Sequence, residues 1–163
     1  MKWEAESWPL PADPAAHQPM FLGEYLHTFD AKNRISLPSR FRKDLGRAVI
    51  ITRGLDHCLY VYARKAWEKE AAKYAAKASG NAAERGLARL FLAGSSDAEI
   101  DSAGRILIPE NFKAFAGIQG KAVVAGVADR VEIWEEEAWK AYTKAIERDA
   151  EAYAEKVGGQ GTL

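Results

Sequence analysis

Apolar and polar positions change period several times along this chain, and the changes mark its elements. Residues 20–29, MFLGEYLHTF, alternate unevenly, as a strand does when one face is wetter than the other. DAKN at 30–33 is a turn, with Asn33 where a positive φ is expected. RISL at 34–37 alternates cleanly, Ile35 and Leu37 to one side and Ser36 to the other. Pro38 then opens a short helix with Ser39 beside it as the cap. Phe41 and Leu45 point inward one turn apart, and Gly46 stops the helix. AVIIT at 48–52 and CLYVY at 58–62 are β-rich runs separated by RGLDH.

The period then lengthens. Lys65 to Ala78, rich in Ala, Lys and Glu, reads as a helix, and SGN at 79–81 breaks it. A second helix follows from Ala82 to Leu92 and ends near Gly94, making a helical hairpin with Trp67, Tyr74, Leu87, Leu90 and Phe91 as packing residues. Strand grammar resumes with AEI, the turn DSAG at 101–104, RILI, Pro109, a short helix around Phe112 and a stop at Gly117. AVVAGV, VEIW and a last helix from Glu135 to Lys156 complete the pattern. Residues 1–19, with Pro9, Pro11 and Pro14, read as a flexible arm, and 158–163 as a frayed tail.

The second half copies the first. At an offset of 71, Asp30, Arg34, Ile35, Pro38, Phe41 and Gly46 meet Asp101, Arg105, Ile106, Pro109, Phe112 and Gly117. With one residue inserted, Leu59, Val61, Tyr62, Ala66 and Trp67 meet Val131, Ile133, Trp134, Ala138 and Trp139. Turn, helix start, inward aromatic and stop are what is shared, so the duplication is structural. A unit of about 50 residues buries too little surface alone, so the copies should pack together and the chain should self-associate. The segments expected are the arm 1–19, a first repeat 20–64, the hairpin 65–94, a second repeat 95–134, a helix 135–157 and the tail 158–163.

Composition alters this picture little. Of 163 residues, 48% are hydrophobic and 28% charged, a globular balance. No apolar run approaches the roughly 20 residues of a membrane span, and the first residues lack the basic head and apolar core of a secretory signal. The single cysteine, Cys58, suits a reducing compartment. These point to a soluble cytoplasmic chain with no membrane partner. Charge alters it more. The 23 cations and 23 anions cancel, yet residues 30–53 hold seven positive against two negative side chains (+5), and residues 131–163 hold four against eight (−4). An anionic partner would be met at the cationic third.

Asp30-Ala-Lys-Asn-Arg34 and Asp101-Ser-Ala-Gly-Arg105, with the flanking phrases GEYLHTF, TRGLDHCLYVY and RILIP, resemble the MraZ family of bacterial transcription factors. The resemblance covers roughly Met20 to Tyr153, including the helical hairpin and the acidic, Trp-bearing last helix. It implies an α+β fold of two AbrB-like, swapped-hairpin β-barrel repeats related by pseudo-two-fold symmetry. It also implies a cytoplasmic, nucleoid-associated repressor of the cell-division and cell-wall gene cluster. Such a protein would bind short G-rich direct repeats of double-stranded DNA in its own promoter, as a ring of eight or twelve protomers. Asn33 departs from the family's usual Gly but tolerates the left-handed conformation. The arm lies outside the resemblance.

Asp30 and Asp101 cap their turns by accepting backbone N–H bonds. Arg34, beside Lys32 in the basic third, offers a planar fork to guanine O6/N7 or to phosphate; the alternative is an ion pair with Asp30 that stiffens the hairpin. Arg105 reads as structural or as part of a subunit contact. Lys32, Arg40, Arg42, Lys43 and Arg53 are candidates for phosphate contacts, or else a solvated face.

No catalytic arrangement emerges, and no cofactor, metal or small-molecule substrate is implied. His17, His27 and His57 are scattered, without metal-ligand spacing. Cys58 opens an apolar strand and reads as a small buried hydrophobe. The glycines fall at turns and helix ends, with no phosphate loop among them, and Glu135–Glu137 is an acidic first helical turn. Trp3 and Trp8 lie on the arm, while Trp67, Trp134 and Trp139 read as packing residues. Two other readings stand: a dimeric AbrB-type regulator or antitoxin, and an oligomeric scaffold without a nucleic-acid role.

Overall fold

The computed structural model describes residues 20–159. The expected arm 1–19 lies outside the described residues, as does most of the expected tail, 160–163. The elements are β1 (Phe21–Thr28), β2 (Arg34–Ser36), α1 (Ser39–Leu45), β3 (Ala48–Arg53), β4 (Leu59–Ala63), α2 (Arg64–Ala75) and α3 (Ala82–Ala88). They continue with β5 (Ser95–Glu99), β6 (Arg105–Leu107), α4 (Glu110–Phe115), β7 (Lys121–Ala128), β8 (Arg130–Glu135) and α5 (Glu136–Gly158).

Six strands form an antiparallel sheet in the order β1-β7-β8-β4-β3-β5, and β2 pairs with β6 in a second, two-stranded sheet. The fold is α+β, and the duplication governs its topology. Opening strand β1 pairs not with its own repeat but with β7 of the other, from Phe21 opposite Ala128 to Thr28 opposite Lys121. Its counterpart β5 pairs with β3 in the same manner. Neither repeat completes a sheet alone. The pseudo-two-fold axis passes through two residue pairs, Ile35 opposite Ile106 in the small sheet and Tyr60 opposite Glu132 at the centre of the large one.

The main core lies between the two sheets and under α1 and α4. Ile35, Leu37, Phe41, Leu45, Val49, Ile51, Leu59 and Val61 meet Ile106, Ile108, Phe112, Ile118, Val124, Val131 and Ile133 there. Strands β3 and β4 are apolar on successive positions because both their faces are covered. On the outer face Cys58, Tyr60, Tyr62, Phe91 and Trp134 form a second cluster with Trp67, Tyr74, Leu90 and Trp139. Glu132 is buried within it, accepting from Trp134 Nε1 at 2.8 Å and from Arg130, whose guanidinium lies over the Tyr60 ring at 4.3 Å.

Several local expectations shift. Ser39 does not cap α1: Pro38 occupies the cap position, which has no side-chain cap bond, and Ser39 is already helical. The first long helix ends at Ala75 rather than Ala78, because tight turns such as Lys77 N–H to Tyr74 O at 3.1 Å take over before the break. The next begins with a capping box between Asn81 and Glu84 that the apolar pattern could not reveal. It gives way after Ala88 to a π-helical turn, Arg89–Ala93, which drops Phe91 onto the Tyr74 ring at 4.5 Å. Leu87 is not a packing residue; it is 42% exposed. Gly158, expected as the first residue of the tail, is instead the last residue of α5.

Candidate nucleic-acid interface

The four-residue spacing of each Asp–Arg motif has a local cause. Asp30 Oδ1 accepts the N–H groups of Lys32 and Arg34, both at 2.9 Å, and Oδ2 accepts Arg34 Nε at 2.7 Å. Asp101 repeats this with Ala103 at 3.0 Å, Arg105 N–H at 2.9 Å and Arg105 Nε at 3.0 Å. Each carboxylate therefore ties the turn and orients its arginine at once, as the capping reading expects. The backbone N–H of Arg34 is the main cause holding the Asp30 carboxyl below its usual range, and that of Arg105 does the same for Asp101. The fourth turn residue sits at positive φ in both copies, Asn33 at 60° and Gly104 at 78°.

Because β2 and β6 cross at the axis, the motifs meet. Arg105 Nη1 reaches Asp30 Oδ2 at 3.7 Å, so Asp30 bridges both arginines. The pairing of Arg34 with Asp30 is thus real, but it uses Nε. Its side chain keeps 30% exposure, and among the described residues no hydrogen bond engages its two terminal nitrogens. Fork and pair are compatible.

The remaining candidates spread over three places. Lys32 and Lys43 are exposed, and Arg40 is exposed while donating to Tyr25 OH at 3.0 Å. Arg42 is half-buried, its Nε donating to Leu37 O at 2.8 Å while its guanidinium lies against Gly104, where a side chain would collide with it. The cation is felt by His27, held below its ordinary value first by burial and then by Arg42. Arg53 does not join the others. It ends β3, about 16 Å along the strand from Ala48, with its Cζ 5.6 Å from the Phe115 ring centroid and its Nε buried without a partner.

Arg47 is a residue that motif reading passed over. It lines an open groove of about 470 Å³ with Arg42, Gly46, Ile100, Asp101, Ser102 and Gly104. The signal was in the repeat alignment, where Arg47 meets Ile118, an exposed cation set against a buried apolar residue. Cys58 is inert in this setting, its Sγ against Leu55 O at 3.2 Å and its thiol pushed far up by burial. No helix among the described residues is long and apolar enough to cross a membrane.

A family profile described as "MraZ protein, putative antitoxin-like" matches residues 20–90 and again 91–157. The chain belongs to the MraZ family. A protein of Carboxydothermus hydrogenoformans named transcriptional regulator MraZ is 43% identical over 85% of this chain and 96% of its own length. Relatives of the same name from Acetivibrio thermocellus and Clostridium tetani are 40% and 43% identical, each over 87% of this chain and 99% of their own length. The double profile match agrees with the two repeats that share one pseudo-symmetric α+β fold. MraZ relatives extend across both Asp–Arg turns and the hairpin between them, while residues 1–19 precede the first profile match.

Proposed function

We propose that this chain is a DNA-binding transcriptional regulator that represses the cell-division and cell-wall gene cluster from its own promoter. It recognises short G-rich direct repeats and acts as a nucleoid-associated cytoplasmic ring of eight or twelve protomers. The observation that carries the reading is the paired turn, in which two carboxylates hold two guanidinium groups through Nε while the terminal nitrogens of Arg34 make no hydrogen bond among the described residues. A pre-oriented fork suits bidentate contact to guanine. Arg34 is assigned that contact, and Lys32, Arg40, Arg42 and Lys43 are assigned backbone phosphates. Arg53 is left out because the Phe115 ring already covers it. Multiplying modest patches around a ring raises affinity for repeated sites without any strong single contact.

The test is a mobility-shift titration on the DNA upstream of the gene, across a range of salt. Binding should fall steeply with salt, and Arg34→Ala should abolish it while light scattering gives an unchanged oligomer mass. An Arg34→Ala protein that binds like the parent would overturn the site. A parent that binds no duplex at low salt would favour the scaffold reading, and a monomer or dimer mass would overturn the ring.

A further inference from the structure

The second turn is nearly neutral along the chain but not in space. Its groove receives Arg42 from α1 and Arg47 from the residue just before β3, both belonging to the first repeat. The one carboxylate in the groove, Asp101, is engaged on both oxygens and balanced by Arg105. Arg42 and Arg47 form no ion pair among the described residues. Arg42 is also pre-positioned: the bond from Nε to Leu37 O fixes the guanidinium, so little of its freedom is left to lose when a ligand arrives. Arg47 is fixed through its backbone, whose carbonyl accepts Ile100 N–H at 2.8 Å, while its side chain stands in solvent.

The pseudo-equivalent place at the first turn offers none of this. Lys113 stands where Arg42 would be, only 7% exposed, bonded to Asn33 Oδ1 at 2.8 Å and lying 4.7 Å from the Phe29 ring centroid. Ile118, 4% exposed, replaces Arg47, and Glu110 adds an acid.

We infer that the groove between α1 and the second turn is a phosphate-binding subsite, with Arg42 and Arg47 as its cations and the exposed Ser102 hydroxyl as a donor. Two guanidinium groups and a hydroxyl match a tetrahedral dianion or phosphodiester. The phosphate comes from the backbone of bound DNA, which rests on the function proposed above, or from a free mononucleotide, which does not.

Two measurements on the full-length chain separate these sources. In the first, duplex affinity is followed against salt for the parent and for Arg47→Ala. Losing one phosphate contact should lower the slope of log K against log salt by about 0.9, so the variant loses roughly 3- to 4-fold less affinity between about 50 and 200 mM salt. The weakening should be equal on operator and scrambled duplexes. In the second, thermal unfolding is followed with inorganic phosphate or adenosine monophosphate against sodium chloride of equal ionic strength. The parent should be stabilised, Arg34→Ala should respond like the parent, and Arg47→Ala should not respond. That result supports the subsite even if no duplex is bound. An Arg47→Ala protein with the parent's salt slope and the parent's phosphate response overturns it, as does a parent with no phosphate response whose slope is insensitive to Arg47.

Discussion

At the first turn Asn33 reaches out to two residues of the other repeat, donating to Glu110 at 2.9 Å and accepting from Lys113 at 2.8 Å. At the second turn Gly104 has no side chain, and the guanidinium of Arg42 lies in the space instead. The hydrogen bonds within the two turns are otherwise nearly superimposable, from the aspartate bonds to the ladder that runs from Leu37 N–H to Gly104 O and from Ile108 N–H to Asn33 O, both at 2.9 Å. The framework is therefore kept by the duplication, and one side chain decides what each turn presents. Asparagine locks a lysine into the seam. Glycine leaves an arginine at the edge of an open groove.

The largest effect expected lies where the two copies must not differ. Ile35 and Ile106 face each other on the axis, both fully buried. Truncating either to alanine removes the same contacts from the same cavity, so Ile35→Ala and Ile106→Ala should each cost about 2–5 kcal/mol, with equal losses. Urea denaturation followed by circular dichroism checks this. A clear inequality between the two would mean that the axis is less symmetric than the pairing implies.

Next comes exchange at the turns. Asn33→Gly suits the positive φ, so backbone strain does not oppose it. It strands Lys113, a buried cation, without its amide partner, and the cost should be about 1–3 kcal/mol. The reciprocal Gly104→Asn is the sharper probe. Asparagine tolerates the conformation, but its Cβ meets the Arg42 guanidinium and must displace it, breaking the bond to Leu37 O. The expected loss is about 1 kcal/mol, with a duplex salt slope reduced as for Arg47→Ala. If Gly104→Asn changed neither stability nor slope, the contrast between the two turns would have no energetic content.

Much of this framework was legible along the chain, and the illegible part has a physical reason. Turn, helix start, inward aromatic and stop are local features, written in residues that dihedral preference and apolar period restrict. The duplication then made symmetry readable from Asp30 and Asp101 onward. Charge was legible only as a sum over neighbours in sequence. The strand exchange pairs β1 with β7 and β5 with β3, carrying α1 to the opposite repeat's turn. A cation count over residues 30–53 therefore groups Arg42 with its neighbours in sequence, whereas its guanidinium lies beside the second turn. Long-range pairing is not encoded in any local window, and neither is the contact of Arg53 with the Phe115 ring.

The smallest effect expected concerns acid. Asp30 and Asp101 are both held below the usual carboxylate range, chiefly by the N–H of the arginine four residues on. A carboxyl whose pKa is depressed by folding stabilises the fold above its unfolded value, and that contribution is lost as pH falls through the folded one. Stability should therefore decline from about pH 4 downward, and Asp30→Asn or Asp101→Asn should flatten the decline by removing one titrating group. The amide oxygen still accepts backbone N–H bonds, but no second acceptor remains for the arginine Nε. Asp30 also faces Arg105 at 3.7 Å, an extra cation for which Asp101 shows no counterpart among the described ion pairs. Asp30→Asn should accordingly flatten the acid limb slightly more than Asp101→Asn, measured as thermal midpoints from pH 7 to pH 3. The reverse order would mean that the extra cation acts on Asp101 rather than on Asp30, reversing the asymmetry of the pair.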